Sequence, residues 1–225
     1  KATVRGVRIF GTETLRVSMP GGSNELQSVS DVLLTSVRIF DFDGWRGLPE
    51  DSFVNTEQRL RQDLAVVDEE RLDDARMRLA RFYFANVWMP ETLAILDLLK
   101  EMSPGIVDDM NFRAIRGAAF FQTGAYSEAK NDLYHSSLDG DAEIALWRAA
   151  LAAKEENWVQ ATRGFDGSDN FLGRYPASLQ VPLGLLAAEA AYRVGGLDLA
   201  EARLRGLRVL DLRAADSGHV EYLEG

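Results

Sequence analysis

The sequence of 225 residues contains no cysteine and only two histidines, His135 and His219. Without cysteine, the chain cannot form disulfide bridges, thiolate metal sites or cysteine nucleophiles. His135 has no second histidine nearby with which to form a metal site. We therefore expect no metal ligands, no cofactor and no catalytic histidine. The lack of cysteine does not by itself fix the cellular compartment.

Long apolar runs are also missing, and no stretch approaches the roughly 20 residues of a membrane-spanning helix. Basic residues are the minority, with 25 Lys and Arg against 35 Asp and Glu and a net charge of −10. Binding to a phosphate backbone requires clustered positive charge, which this balance does not provide. We expect neither nucleic acid binding nor membrane insertion.

Catalytic motifs are absent as well, since no Gly-x-Ser-x-Gly, phosphate-binding or dinucleotide-binding pattern occurs. The acidic loops at residues 139–141 and 166–170 lack the regular ligand spacing of an EF-hand. Carboxylate pairs such as Asp108/Asp109 and Glu155/Glu156 stand next to expected helix ends, where capping accounts for them. We expect a protein that is not an enzyme and has no catalytic residues.

The first 50 residues differ in pattern from the rest. β-Branched runs at residues 4–10 and 15–19, with Gly11 between them, predict a β-hairpin. Residues 32–42 predict a third strand, although the apolar spacing in residues 25–40 also fits a helix. A turn-rich linker follows at residues 41–49. We assign residues 1–50 to a small β-rich segment with its linker and residues 51–225 to a helical repeat domain.

Four segments of the helical part align with one another, at residues 74–104, 111–139, 143–166 and 181–211. In each, a small residue of the first helix is followed after twelve positions by a small residue and after sixteen by a large apolar one. The three sets are Ala80, Gly117, Ala149 and Ala188; Thr92, Ala129, Ala161 and Ala200; and Leu96, Leu133, Phe165 and Leu204. Antiparallel helices approach closely only where side chains are small, so the pattern predicts stacked helical hairpins.

The turns and aromatic positions of these units follow a known pattern. The second unit matches it best, with Gly117, Phe120, Gly124, Tyr126 and Ala129. The other units keep Leu79, Ala80, Tyr83 and Pro104; Ala149, Trp158 and Ala161; and Ala188, Gly195 and Ala200. Over residues 68–212 the chain resembles tetratricopeptide repeats, although its units are spaced by 37, 32 and 39 residues rather than about 34. The resemblance implies a mainly α fold, a right-handed α-solenoid.

The resemblance also implies that a partner contacts the concave surface formed by the first helices. The candidate contact residues lie near the C-terminal ends of those helices and are Arg81, Phe84, Phe121, Gln122, Lys154, Glu189, Tyr192 and Arg193. Aromatic and charged side chains together suit an extended peptide. The alternative is that Phe84 and Phe121 belong to the core. The loop at residues 166–180 either joins the binding face or packs Phe171 into the core.

The leading hypothesis is a non-catalytic protein–protein interaction scaffold that binds a peptide or protein partner. Two alternatives stay open: a structural module that self-associates through its terminal repeats, and the helical scaffold part of a larger multidomain enzyme. A β-hairpin segment followed by repeats, without cysteine, favours the bacterial cell envelope or periplasm over the cytoplasm. Because apolar residues continue to the end of the fourth unit, we expect its C-terminal edge to be covered by the last residues or by a neighbouring molecule.

Overall fold

The computed structural model describes residues 38–47 and 52–208. The chain divides between Arg38 and Ile39 into two units, and the elements of the described structure belong to the second. Across the described residues the chain forms α-helices and short turns, with no β-strand among them. The protein is therefore mainly α, as the repeats predict.

The helices are mostly two to five turns long, and each ends at a turn. In chain order they are α1 (Phe42–Trp45), α2 (Phe53–Val66), α3 (Leu72–Ala85), α4 (Met89–Met102), α5 (Met110–Gln122), α6 (Tyr126–Leu133), α7 (Ala142–Lys154), α8 (Trp158–Phe165), α9 (Asp169–Leu172), α10 (Ala177–Arg193) and α11 (Leu197–Leu207). Short 3₁₀ segments connect some of them, at Glu69–Arg71, Pro104–Asp108 and Ser136–Leu138.

Eight of these helices pack as four consecutive hairpins: α3 with α4, α5 with α6, α7 with α8, and α10 with α11. Each hairpin also contacts the next one, and the first helices α3, α5, α7 and α10 contact each other in series. The four segments that align in the sequence coincide with these four hairpins. The architecture is that of a helical repeat.

In three of the four hairpins, a glycine lies where the two helices approach each other closely. A Cβ atom on Gly117 of α5 would lie 2.7 Å from Cγ of Leu133 in α6, which leaves no room for it. A Cβ atom on Gly164 of α8 would lie 2.8 Å from Cβ of Ala149 in α7. Gly184 of α10 faces a side chain of α11 at the same short range, 2.7 Å. The predicted packing of a small residue against a large one is present at Gly117, and the sequence alignment had not selected Gly164 or Gly184.

A buried ion pair also joins α5 to α6. Asp132 accepts hydrogen bonds from Nε and Nη2 of Arg116, both at 2.7 Å, and from Nη1 of Arg113 at 3.1 Å. The carboxylate is almost completely buried, and both of its oxygens have a cationic donor. Because a buried charge is tolerated only when it is paired, this contact fixes how the two helices are aligned.

The expected N-terminal β-rich segment lies largely outside the described residues. Where residues 32–42 are described, from residue 38 onward, the expected third strand is wrong. Asp41 instead begins a helical turn: its Oδ1 accepts a hydrogen bond from the backbone N–H of Gly44 at 3.2 Å, and α1 starts at Phe42. The expected hairpin at residues 4–19 lies outside the described residues, and the domain boundary at residue 50 stays a prediction.

The C-terminal edge can be followed as far as residue 208. Leu204 and Leu207 are buried because they pack with Val181, Leu185 and Ala188 of α10. These two leucines are therefore covered by their own hairpin. Residues 209–225 lie outside the described residues, so the covering of the edge beyond α11 stays a prediction.

Tyr83 connects α2 to α3. Its hydroxyl group donates a hydrogen bond to Oε1 of Glu57 at 2.7 Å and accepts one from Nη2 of Arg61 at 2.9 Å. Burial of the ring, and then the hydrogen bond to Glu57, raise the pKa of Tyr83 above its usual 10.0, while Arg61 opposes the shift. The neutral phenol is therefore the form that the folded protein favours.

Replacing Ala129 with leucine should lower the free energy of unfolding by about 1–3 kcal/mol, because Ala129 is fully buried on α6 and the added carbons would overpack the core. Urea unfolding followed by circular dichroism measures the change. Ala94→Leu is the matched control, since Ala94 is exposed on α4, and it should change stability by less than about 0.5 kcal/mol. Equal stability of the two variants would contradict tight packing at Ala129.

The raised pKa of Tyr83 predicts how stability changes in alkali. The unfolded chain releases the tyrosine proton first, so the stabilisation is complete below about pH 10 and is lost as the pH rises through the raised pKa. The unfolding free energy should therefore fall more steeply above about pH 10 in the wild type than in Tyr83→Phe. Urea unfolding over this range tests it, with Tyr126→Phe, at an exposed tyrosine, as the control. Identical slopes for all three proteins would rule the effect out.

Candidate partner-binding site

Residues 39–46, which we name the strap, pack against the first helices of the hairpins. In the sequence Ile-Phe-Asp-Phe the three apolar side chains Ile39, Phe40 and Phe42 are buried, while Asp41 stays exposed. Phe40 is 0% exposed and Phe42 is 1% exposed. The chain is not helical up to Asp41 and then makes the single turn of α1. Short as it is, the strap contributes two of the largest fully buried side chains.

Three aromatic side chains of the repeats form the floor under the strap. Phe84 of α3 stacks with both strap rings, at centroid distances of 5.4 Å to Phe40 and 5.6 Å to Phe42. Trp147 of α7 lies 5.8 Å from Phe40, and Tyr175, just before α10, lies 4.6 Å from Phe42. The floor therefore combines residues of the first and third hairpins with one residue of the segment that precedes α10, in one aromatic cluster.

Glu143 holds the backbone of the strap. This residue lies in the first turn of α7 and is only 2% exposed. Its Oε2 accepts hydrogen bonds from the backbone N–H groups of Ile39 at 3.1 Å and of Phe40 at 3.3 Å. Hydrogen bonds to a carboxylate are stronger than those between neutral groups. Because the donors are backbone amides, these two hydrogen bonds do not depend on which side chains residues 39 and 40 carry.

The other end of the strap is held on α3. Nε of Arg46 donates a hydrogen bond to the backbone carbonyl of Ala85 at 3.1 Å. The guanidinium group of Arg81 lies over the ring of Trp45, with Cζ 5.4 Å from the ring centroid. Burial lowers the pKa of Arg81, and the charges of Asp109 and then Asp74 oppose that shift. Of the predicted partner contacts, Arg81 thus lies against the strap, through the ring of Trp45.

Two of the predicted partner contacts belong to the core. Phe84 is 0% exposed because the strap covers it, and Phe121 is 6% exposed because it packs against Trp147 and Tyr126. Neither ring is free to meet a partner in this structure. The assignment of Phe84 and Phe121 as exposed contact residues is corrected, and the alternative that they are core residues is the one observed.

The remaining predicted residues lie at the C-terminal ends of α5, α7 and α10. Lys154, Tyr192 and Arg193 are exposed, and Gln122 and Glu189 are half-buried. Nη2 of Arg193 bonds to Oε1 of Glu189 at 3.1 Å. The same guanidinium group lies over the ring of Trp158, at 5.4 Å. The structure thus joins Arg193 directly to Glu189 and places it over Trp158, a residue that was not among the predicted contacts.

The sequence did not identify the strap, and of the residues that hold it only Arg81 and Phe84 were among the predicted contacts. The β-branched run that leads to Phe40 was interpreted as a strand, and Glu143 and Trp147 were not singled out. Tyr175 was noted only as part of the loop at residues 166–180. The structure places Tyr175 in the aromatic floor. It also packs Phe171 against the core, which was one of the two alternatives for that loop.

Glu143→Ala should lower the free energy of unfolding by about 1–3 kcal/mol, because two buried strap amides would lose their acceptor. Urea unfolding measures the loss. Glu101→Ala is the control, since Glu101 is exposed at the end of α4, and it should change stability by less than about 0.5 kcal/mol. If the two variants unfold alike, Glu143 does not hold the strap in solution.

Comparison with known proteins gives no further assignment: no protein family, no characterised protein and no solved structure matches this sequence. Within residues 38–47 and 52–208, no helix has both the length and the apolar character needed to cross a membrane. In the same residues, no group of three or more His, Asp or Glu side chains could hold a metal ion. The resemblance to tetratricopeptide repeats rests on the sequence pattern and on the four hairpins.

Proposed function

We propose that this chain is a non-catalytic protein–protein interaction scaffold, a right-handed solenoid of tetratricopeptide-like hairpins that binds a peptide or protein partner through the concave face of its first helices. One observation supports the proposal above all others. The first helices already hold a short stretch of chain in the way a peptide ligand would be held: aromatic side chains receive its rings, and Glu143 receives two of its amides.

The acidic side chains that could suggest catalysis have structural contacts instead. A cavity of about 340 Å³ beside Arg81 is lined by Asp73, Asp74 and Asp109, among others. Asp73 pairs with Arg76 at 3.0 Å, and Asp109 caps α5 by accepting a hydrogen bond from the N–H of Phe112 at 2.9 Å. Capping and ion pairing therefore account for two of the three carboxylates, which favours a scaffold over the helical part of an enzyme.

Part of the first-helix surface remains accessible to a partner. Lys154 is exposed at the end of α7, and Tyr192 is 41% exposed at the end of α10. A cationic side chain and an amphipathic aromatic one suit a partner that presents acidic and apolar groups together. We propose this end of the face as the contact site, in a protein of the bacterial cell envelope. Self-association through terminal repeats is the second candidate.

Photo-cross-linking in the native host tests the contact site. With p-benzoylphenylalanine at Tyr192, we expect a discrete adduct with a second protein. The same probe at Val66, which is 81% exposed on α2, should give none, because α2 lies outside the four hairpins. An adduct of twice the chain mass would favour self-association, and equal labelling from both positions would contradict the proposed face.

The charge contribution can be tested in the same assay with a matched pair of lysines. Lys154 and Lys100 are both exposed in the last turn of a helix, α7 and α4 respectively. Lys154→Glu should reduce the adduct yield from Tyr192 several-fold, because it would repel an acidic partner, whereas Lys100→Glu should leave the yield unchanged. Equal yields from both variants would remove Lys154 from the site.

A further inference from the structure

We infer that the strap occupies a binding site for partner segments, and that a partner with a short segment carrying two aromatic residues two positions apart takes its place. The inference rests on the proposed function and names the chemistry of the partner. The occupant seen in the structure defines that chemistry: Phe40 and Phe42 enter the aromatic floor, and the two amides at Ile39 and Phe40 meet Glu143.

The strap is attached to the helices as a ligand is, through side chains. Two backbone hydrogen bonds lie within the strap, from the N–H of Trp45 to the carbonyl of Asp41 and from the N–H of Arg46 to the carbonyl of Phe42. Among the described residues, no backbone–backbone hydrogen bond connects it to a helix of the hairpins. Its removal would therefore break no helix and no backbone ladder.

The floor is held in place by contacts that do not involve the strap. Nε1–H of Trp147 donates a hydrogen bond to the hydroxyl oxygen of Tyr175 at 3.1 Å. Trp147 also packs edge-on against Phe121 of α5, at a centroid distance of 5.8 Å. A site whose walls are positioned beforehand loses less conformational entropy when a ligand enters. These contacts keep the aromatic receptor formed when the occupant changes.

The spacing within the strap sets what an exchanging partner must present. Phe40 and Phe42 both stack on the ring of Phe84, while Asp41 between them stays exposed and begins the turn of α1. Trp45 follows after the turn that Asp41 stabilises through the N–H of Gly44. Its ring lies 6.4 Å from that of Phe84. The fitting segment therefore has aromatic residues at positions i and i+2, a short turn, and a third aromatic residue at i+5.

Covalent attachment gives the strap an advantage over any free segment. A tethered segment competes at an effective concentration in the millimolar range. A free peptide with the same contacts should therefore bind the intact chain hardly at all, and should bind well once the tether is cut. This difference between the intact and the cut chain is the measurable signature of an exchangeable occupant.

The test uses the full chain with a protease recognition sequence inserted between Leu48 and Pro49. After cleavage, an acetylated fluorescent peptide of residues 39–47 is added and its uptake is followed by anisotropy. The control peptide carries Phe40→Ala and Phe42→Ala. We expect the cut chain to take up the first peptide at least ten-fold more tightly than the control, and the uncut chain to take up neither at micromolar concentrations. Glu143→Gln in the cut chain should weaken uptake several-fold.

Three outcomes would overturn the inference. If the cut chain stays folded but takes up neither peptide, the strap is a permanent part of the core. Unfolding of the cut chain when the strap fragment is removed would lead to the same conclusion. If the uncut chain forms dimers that the peptide dissociates, the site belongs to a second copy and not to a different partner. An adduct at Tyr192 together with a failed peptide exchange would support the scaffold proposal and reject only the binding site under the strap.

Discussion

The distance between the two helices of each hairpin is the constraint on which the rest of the structure depends. At Gly117, Gly164 and Gly184 the neighbouring helix lies so close that one additional carbon would collide with it. Such close approach buries the apolar stripes of both helices without leaving voids. It also brings successive first helices side by side, and only then do side chains from α3 and α7 form one continuous surface. The aromatic floor is a product of this spacing.

The burial of Glu143 is stabilised by what the strap provides. A carboxylate that leaves water loses hydration worth several kcal/mol unless hydrogen-bond donors replace it. Two amides of the strap are such donors. Asp132 shows the other way in which this protein solves the same problem, with Arg113 and Arg116 as its donors. Arginines provide the donors at the contact between two helices, and backbone amides provide donors at the contact between a helix and the strap.

Much of the fold could be predicted from the sequence because the hairpins are local. The contact between Gly117 and Leu133 lies within one unit, and the same hairpin pattern occurs four times in the sequence. The strap could not be predicted, since two of its main contacts lie more than one hundred positions away: Ile39 pairs with Glu143, and Phe42 with Tyr175. A short apolar run is expected both in a buried β-strand and in a non-repeating segment that lies on helices. Only the long-range contacts separate the two.

The same locality explains the mixed outcome at the predicted site. Position in a helix correctly placed Lys154, Tyr192 and Arg193 at exposed helix ends. It could not tell whether Phe84 would face solvent, because that depends on a segment outside the repeats. An aromatic residue on the face of a first helix is exposed or buried according to what lies across it.

The strap also changes how the repeats relate to one another mechanically. In an ordinary array each unit touches only its neighbours, so one end can melt or stretch while the other stays intact. Here a single ring, that of Phe40, touches α3 of the first hairpin and α7 of the third. Loss of order in the first hairpin would therefore remove a contact of the third. We expect the strap to couple the melting of these two hairpins.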